Sequence, residues 1–380
     1  MNTQQLRKHI QEEARKLSEQ AILPGATVSE RQMAKLEHLS RLIAIYEQNQ
    51  PKPGRVRWPV IIILLLTLLG VSVLLSFRIA STEIEADLTL SELQFTVAKP
   101  TVLTDALVLS TLGVSALKDI QLPRVQTLSA RTLQADEERG FALRLATVRD
   151  ETQESTLTLT ALLVPANTLV KIGATDLPNQ YRVFLGVQEN AELTLQVSVK
   201  GTIEVAISGM PVERYTYTFP QAIQMKPATS QLSFDITLPE GVQTAFSPYL
   251  PVRNLAFVKI DQFMGTSDTY IRRISTVLSG VLYLIELNNK EHQLLTREGL
   301  EFGESEGVIR LLQLAQDQVK LQFHGNVQDL STGWEASRRD LMPNYLEWLS
   351  ARHTIAVWWS STLSAFFLLL GVWRWWRKAE

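Results

Sequence analysis

The chain has 380 residues, no cysteine and a nearly balanced charge, with 37 Lys and Arg against 39 Asp and Glu. The absence of cysteine excludes disulfides, thiolate metal sites and cysteine nucleophiles. Residues 1–57 have a net charge of +4 and residues 355–380 one of +2, which leaves −8 for the middle because the whole chain is −2. This acidic middle argues against nucleic acid as a partner.

Residues 1–50 are predicted to form a short α-helical hairpin with helices over 3–22 and 29–48. Pro24 and Gly25 separate the two helices, and Ser29 begins the second with capping-box spacing. Apolar residues of the second helix recur every three or four positions. The candidate partner-docking residues are Met33, Leu36, Leu39, Ile43 and Tyr46. The alternative is a helical pair that lies on a membrane surface and docks nothing.

Two charge-free apolar segments then set the predicted fold class, which is a mixed membrane protein. A bilayer core about 30 Å thick needs roughly 20 helical residues to cross it, and segments 58–77 and 355–373 are of that order. They are predicted to be two transmembrane α-helices that bracket a large, mainly antiparallel β domain. The first, after a basic linker at 51–57, is interpreted as an uncleaved signal anchor rather than a cleaved signal peptide.

Tryptophan supports this interpretation, because its ring collects at the boundary between water and lipid. Seven of the eight tryptophans lie in or beside the two segments. The candidate membrane-interface anchors are Trp58, Trp348, Trp358, Trp359, Trp373, Trp375 and Trp376.

Basic residues near the segment ends predict the orientation. The topology determinants are Lys52, Arg55 and Arg57 before the first segment, and Arg374, Arg377 and Lys378 in a tail at 374–380. They predict a bacterial inner-membrane protein with both termini in the cytoplasm and the β domain in the periplasm. The inverted topology is left open, since basic residues also precede the second segment.

Residues 78–335 are predicted to form the β domain, of sandwich or barrel type, because apolar and polar residues alternate along short segments. Lys200-Gly201 is predicted to turn one hairpin, and Pro220 and Pro239 to end two strands. Further turns are predicted at Asn288-Asn289 and Gln316-Asp317. The domain is long enough for two lobes, with a split near 221–230. Residues 338–354 are predicted to form an interfacial helix that runs into the second span.

No residue pattern predicts a catalytic, cofactor-binding or metal site. His292 and His324 form a zinc pair only if their strands are neighbours, and the group from Glu298 to Glu306 is typical of a solvated turn rather than a calcium loop. The two apolar segments contain no ionisable residue, which argues against ion transport.

The sequence therefore favours a non-enzymatic, two-span envelope protein that acts as a scaffold or signal transducer. Its predicted partners are the lipid bilayer, an envelope protein or ligand on the β domain, and a cytoplasmic protein on the helical hairpin. A homo-oligomer stays open. One alternative function is an oligomerising, pore-forming effector of a defence or toxin system, and another is a membrane-tethered hydrolase.

Overall fold

The computed structural model describes residues 58–104, 106–123, 128–130, 132–133, 139–148, 154–187, 193–264 and 269–376, together with isolated positions between residues 8 and 45. The chain divides into two compact units, Met1–Gly70 and Val71–Glu380. Most of the described structure belongs to the second unit.

Three described α-helices lie near the two ends of the chain. They are α1 (Trp58–Ser76), α2 (Tyr345–Arg352) and α3 (Thr354–Trp376). Short 3-10 helices cover Ile285–Leu287 and Glu335–Ser337. Helix α2 is shorter than the helix predicted over 338–354, because β-structure continues as far as Asp340.

Most of the described residues between α1 and α2 form β-strands. The first twelve are β1 (Thr82–Leu90), β2 (Glu92–Val97), β3 (Thr101–Val102), β4 (Leu107–Leu109), β5 (Thr111–Gln121), β6 (Leu128–Ser129), β7 (Phe141–Thr147), β8 (Thr156–Val164), β9 (Leu169–Ala174), β10 (Gln180–Gly186), β11 (Thr194–Ile207) and β12 (Glu213–Pro227). The remaining strands are β13 (Gln231–Thr237), β14 (Thr244–Ala245), β15 (Leu250–Ala256), β16 (Val258–Met264), β17 (Thr269–Ser275), β18 (Val277–Leu284), β19 (Lys290–Leu294), β20 (Leu300–Phe302), β21 (Ser305–Ala315), β22 (Gln318–Val327), β23 (Leu330–Thr332) and β24 (Arg339–Asp340).

Antiparallel pairing joins most of these strands into one continuous sheet. From one edge, neighbouring strands follow in the order β19, β18, β1, β22, β21, β15, β2, β9, β10, β13 and β5. Beyond β5 the order continues through β7 and β11 to β12, and the end of β12 pairs with β5 again. The last four strands therefore close a small ring. The described chain is mainly antiparallel β-structure, as the alternation of apolar residues predicts.

The two tight turns predicted from asparagine and aspartate are confirmed. Asn288 and Asn289 both have φ of 57°, and Gln316 and Asp317 have φ of 52° and 59°. Two consecutive residues with positive φ twist a hairpin in the same sense as its strands. The first turn connects β18 to β19 and the second connects β21 to β22.

Two other predictions along the chain are wrong. Strand β11 continues through Lys200-Gly201 without a turn, and the register of β11 against β12 shifts between Val199 and Gly201. Gly201 has φ of +82°, which a glycine tolerates, so the irregularity is a bulge and not a hairpin. Strand β12 likewise continues through Pro220 to Pro227. Proline is tolerated there because it lies in the same bulge, between the paired residues Tyr217 and Gln221, and no described strand pairs with it.

The buried apolar residues of the described strands form one continuous core. Alternate residues of each long strand contribute to it, as in β1, where Ile84, Ala86, Leu88 and Leu90 are at most 1 % exposed. An aromatic cluster adds to it, with the ring centroids of Phe257 and Phe302 4.9 Å apart and those of Phe302 and Phe323 6.2 Å apart. The predicted division into two lobes near 221–230 stays a prediction.

The prediction of two membrane-spanning helices is contradicted by the structure. Among the described residues, no helix combines the length and the apolar character that crossing a bilayer requires. The described side chains of α1 begin at Leu65, and α3 contains Ser361 and Thr362, whose hydroxyls donate to the carbonyl of Trp358. On this finding the membrane fold class, the transmembrane and inner-membrane descriptions and the periplasmic placement of the β domain are wrong.

Candidate ligand pocket beside helix α2

A pocket of about 240 Å³ lies where the chain enters and leaves the β domain. Its walls come from the start of the domain, from β18 and β19, and from the segment that leads into α2. The lining residues are Arg78, Leu284, Leu287, Lys290, Glu291, His292, Asp340, Leu341, Met342, Asn344 and Glu347. We call these residues the α2 pocket. Six of its eleven lining residues are charged or histidine, so it is smaller and more polar than most small-molecule sites, which have volumes of about 300–1,000 Å³.

Backbone hydrogen bonds hold the two ends of the domain together beneath the pocket. The amide of Tyr345 donates to the carbonyl of Phe77 at 2.8 Å, and the amide of Ile79 donates to the carbonyl of Pro343 at 3.2 Å. Arg78 and Asn344 form the isolated bridge between these bonds. This short ladder fixes the start of α2 against the residues that lead into β1, among them the pocket residue Arg78.

Helix α2 begins with a reciprocal cap. The amide of Glu347 donates to Asn344 Oδ1 at 2.8 Å, and the amide of Asn344 donates to Glu347 Oε2 at 3.2 Å. These bonds satisfy donors that the first turn of a helix otherwise leaves free. The Glu347 carboxylate is therefore already engaged in holding the helix, although it lines the pocket.

The Asp340 carboxylate is also engaged. Arg78 Nε lies 2.8 Å from Asp340 Oδ2, and the amide of Met342 donates to Asp340 Oδ1 at 2.9 Å. The Arg78 guanidinium also donates to the carbonyl of Met342. The carboxylates of Asp340 and Glu347 on this wall thus both accept hydrogen bonds already. The Arg78 guanidinium has five N–H donors in total, and two of its nitrogens donate to these residues of the wall.

The opposite wall is strand β19, the edge of the large sheet. Lys290 pairs with Leu284 and His292 pairs with Leu282, and both leucines are buried. Since directly paired residues lie on the same face of a sheet, Lys290 and His292 lie on the face toward the core, above the pocket. Glu291 lies between them on the other face. No described residue pairs with the Lys290 ammonium.

One polar atom in this wall is buried without a partner. His292 Nε2 has less than 1 Å² of exposed area and forms no hydrogen bond with any described residue. Thr82 Oγ1 and Glu286 Oε2 are also buried without a described partner. Since leaving such a group unsatisfied costs about 1–3 kcal/mol, a native structure usually gives it a partner. Of these three residues only His292 lines the α2 pocket, and its Nε2 can donate or accept a hydrogen bond depending on the tautomer.

Most functional residues predicted from the sequence lie outside this region or outside the described structure. The docking residues Met33, Leu36, Leu39, Ile43 and Tyr46, and the basic residues Lys52, Arg55, Arg57, Arg377 and Lys378, are not among the described residues. Arg374, Trp375 and Trp376 belong to α3, and Trp58 begins α1, but their side chains are not described.

The other predicted membrane anchors lie on α2 and α3. Trp358, Trp359 and Trp373 are 68 %, 67 % and 51 % exposed. Trp348 packs within α2, where its ring centroid is 5.3 Å from that of Tyr345 and 5.5 Å from Arg352 Cζ. A cation at this distance is attracted to the ring face, so Trp348 stabilises α2 itself.

The two histidines considered as a zinc pair are separated. His292 lies on β19 and His324 on β22, with β18 and β1 between them, which is a separation of about 14 Å at the usual strand spacing. His324 Nε2 instead lies 3.2 Å from Glu83 Oε1. The described residues contain no group of three His, Cys, Asp or Glu side chains that could hold a metal ion.

The glutamates between 298 and 306 form ion pairs rather than a cation site. Arg253 Nη2 lies 2.9 Å from Glu306 Oε1, and Arg273 Nη1 lies 3.2 Å from Glu301 Oε1. Glu298 Oε2 accepts a hydrogen bond from the amide of Leu295 at 2.8 Å. These carboxylates therefore bind the protein's own donors.

Comparison with known proteins provides no information on this site. Neither the protein-family models nor the curated proteins nor the solved structures contain a match to this chain. The function of the α2 pocket must therefore be argued from its own geometry.

Proposed function

We propose that this chain is a non-enzymatic binding protein whose β domain takes a small carboxylate ligand in the α2 pocket. The observation that carries the proposal is His292 Nε2, which is buried in the pocket wall without a hydrogen-bond partner among the described residues. Lys290 on the same face adds an ammonium without a described partner. A carboxylate accepts hydrogen bonds from both groups and balances the lysine charge.

The acidic lining residues support the same ligand class. Asp340 and Glu347 already accept hydrogen bonds from Arg78, Met342 and Asn344. Glu291, the third acidic lining residue, lies on the other face of β19 from Lys290 and His292. On the face that carries Lys290 and His292, the groups left to bind a ligand are therefore the ammonium and the imidazole. Leu284, Leu287 and Leu341 provide an apolar wall, which favours a carboxylate with a short hydrocarbon part over an inorganic anion.

Binding without catalysis is the activity that this lining supports. The pocket residues include no serine or threonine, and the chain has no cysteine. A hydrolase of the covalent type needs such a nucleophile within reach of a base. A hydrolase with a serine, threonine or cysteine nucleophile would therefore require a site elsewhere in the chain.

The proposal is tested with the full chain and a panel of small carboxylates: acetate, lactate, succinate and glutamate. Isothermal titration should detect binding of at least one of them. Because a hydrogen bond to a charged group contributes about 1.5–3 kcal/mol, we expect His292→Phe and Lys290→Gln each to weaken that binding roughly 10-fold or more.

Lys320→Gln is the matched control, because it removes an exposed lysine from β22 outside the pocket. It should bind the carboxylate as the unchanged chain does. The proposal fails when none of the four compounds binds, or when His292→Phe and Lys290→Gln bind as tightly as the control.

A further inference from the structure

Charges of both signs line the α2 pocket. Two of its lining residues are cationic and three are anionic, so the formal net charge of the lining is −1 with His292 neutral. A plain carboxylate ligand would bring this net charge to −2. Because like charges in a confined site repel each other, the lining as a whole favours a carboxylate that also carries a positive group.

One ion pair within the lining leaves opposite charges on the two walls. Arg78 Nε lies 2.8 Å from Asp340 Oδ2, so these two groups neutralise each other. Neither the Lys290 ammonium on β19 nor the Glu347 carboxylate on α2 forms an ion pair with a described residue. Glu291 adds negative charge from the other face of β19. The pocket therefore has an unbalanced positive charge on one wall and an unbalanced negative charge on the other.

The Glu347 carboxylate has one oxygen left for a ligand. Its Oε2 accepts the hydrogen bond from the amide of Asn344 that caps α2, at 3.2 Å. Its Oε1 accepts no hydrogen bond from the described residues, although a carboxylate oxygen has lone pairs for two. An ammonium group on a ligand can therefore donate to Oε1 without displacing the cap.

The β19 wall has the complementary groups for a carboxylate. Lys290 and His292 lie on the same face of β19, opposite the buried Leu284 and Leu282. The Nε2 atom of His292 has less than 1 Å² of exposed area and no described partner. With the proton on Nε2, the imidazole and the ammonium supply one donor for each oxygen of a carboxylate. We therefore expect the carboxylate end of the ligand at this wall.

Apolar side chains and a small volume set the size of the ligand. Leu284, Leu287, Leu341 and Met342 line the same pocket, and they suit the methylene groups of a short chain between two charged ends. The pocket volume is about 240 Å³. Because a water molecule takes up about 30 Å³ in the liquid, this is room for roughly eight non-hydrogen atoms. A ligand of that size is a short amino acid rather than a peptide or a nucleotide.

We infer that the ligand of the α2 pocket is a short amino carboxylate that binds as a zwitterion. Its carboxylate accepts hydrogen bonds from Lys290 and His292, and its ammonium donates to Glu347 Oε1. Both ends of the ligand then form charge-assisted hydrogen bonds, which are the stronger kind, and the net charge of the site does not change. This inference rests on the proposed function, because it specifies the ligand of the same pocket more narrowly.

Isothermal titration of the full chain with matched pairs of compounds tests the inference. The pairs are acetate with glycine, propionate with β-alanine, and butyrate with γ-aminobutyrate, which differ only in the ammonium group. At least one amino compound should bind roughly 10-fold or more tightly than its partner. If plain carboxylates bind and no amino compound binds more tightly, the inference is overturned and the proposed function stands. Binding of none of the six also overturns it, and the first panel of carboxylates then decides the proposed function.

Glu347→Gln tests the assigned partner of the ammonium. It removes the negative charge but keeps a side-chain oxygen for the cap, since glutamine also occurs at this position of a capping box. The variant should bind the amino compound about as tightly as the plain carboxylate of the same pair. Glu304→Gln, which neutralises an exposed glutamate outside the pocket, is the control and should keep the preference. A preference that persists in Glu347→Gln, or is lost in both variants, overturns the inference.

Discussion

Gly307 and Gly325 face each other across β21 and β22. A Cβ atom on Gly325 would lie 2.6 Å from the Gly307 Cα atom and 2.7 Å from the ring of Phe323. Neither glycine has positive φ, so the requirement here is space and not backbone conformation. The two strands pack this closely because both residues lack side chains.

Gly325→Ala should therefore destabilise the β domain through overpacking by about 1–3 kcal/mol. Gly113→Ala on β5 is the control, because its nearest contact to a new Cβ is 3.9 Å. Urea unfolding followed by circular dichroism measures both. Equal unfolding free energies for the two variants would contradict the close packing described here.

Tyr215 provides a pH-dependent prediction. Its hydrogen bond to Glu213, followed by burial and the nearby carboxylate charge, raises its pKa from 10.0 to about 12. Because the folded state holds this proton more tightly, the contribution to stability is present below pH 10 and is lost as the pH rises toward 12.

Glu213→Ala should lower the pKa of Tyr215 back toward 10, since it removes both the acceptor and the charge. Ultraviolet absorbance of tyrosinate during alkaline titration measures the change. Tyr215→Phe identifies which titration step belongs to this residue. A step that is unchanged in Glu213→Ala would show that the carboxylate has no part in the shift.

At the scale of elements, helix α2 depends on its cap. It has only eight residues, and such short helices are marginal without tertiary support. The Asn344 side chain and the backbone ladder to Phe77 and Ile79 both act at its first turn. Loss of the cap should therefore loosen the wall of the α2 pocket before it affects the sheet.

Asn344→Ala should cost about 1 kcal/mol and increase amide hydrogen exchange within Tyr345–Arg352. Ser350→Ala is the control, since the Ser350 hydroxyl donates only to the carbonyl of Glu347 within the same helix. Exchange rates in α2 that are equal in the two variants would show that the cap is not what stabilises the helix.

Some elements were predictable from sequence because their signals are local. The asparagine pair at 288–289 and the alternation in β1 specify a turn and a buried face from adjacent residues alone. The turn predicted at Gly201 and the strand end predicted at Pro220 were wrong for a physical reason. Glycine and proline also occur in bulges and at unpaired strand edges, and only the neighbouring strand distinguishes a bulge from a turn.

The α2 pocket was not predictable in the same way. It joins Arg78, strand β19 and the residues after Asp340, which are far apart in sequence, and local patterns carry no information about which distant strands become neighbours. The spacing of Asn344 and Glu347 is typical of a helix start, but such a local signal does not show which strands pack beside the helix.

At the scale of the whole molecule, the single core couples distant strands. Phe323 on β22 is fully buried and contacts Phe302, which in turn contacts Phe257. The three rings belong to strands or turns separated by many residues along the chain. A change at one of them should therefore affect the stability of the entire β domain.

Phe323→Ala should lower the free energy of unfolding of the β domain by about 3–5 kcal/mol. Leu295→Ala, at a side chain that is 73 % exposed, should change it by no more than about 0.5 kcal/mol. Thermal unfolding followed by circular dichroism compares them. Similar midpoints for the two variants would contradict a single continuous core.

The position of β1 between β18 and β22 has a consequence for synthesis of the protein on the ribosome. The first strand of the domain finds its two partners only after Val277 and Val319 have been made. At about 5–20 residues per second, the ribosome needs roughly 10–50 s to pass from β1 to β22. During that time a strand whose apolar face is later buried is exposed in the nascent chain. We expect the domain to fold slowly, since pairing across such sequence distances slows folding.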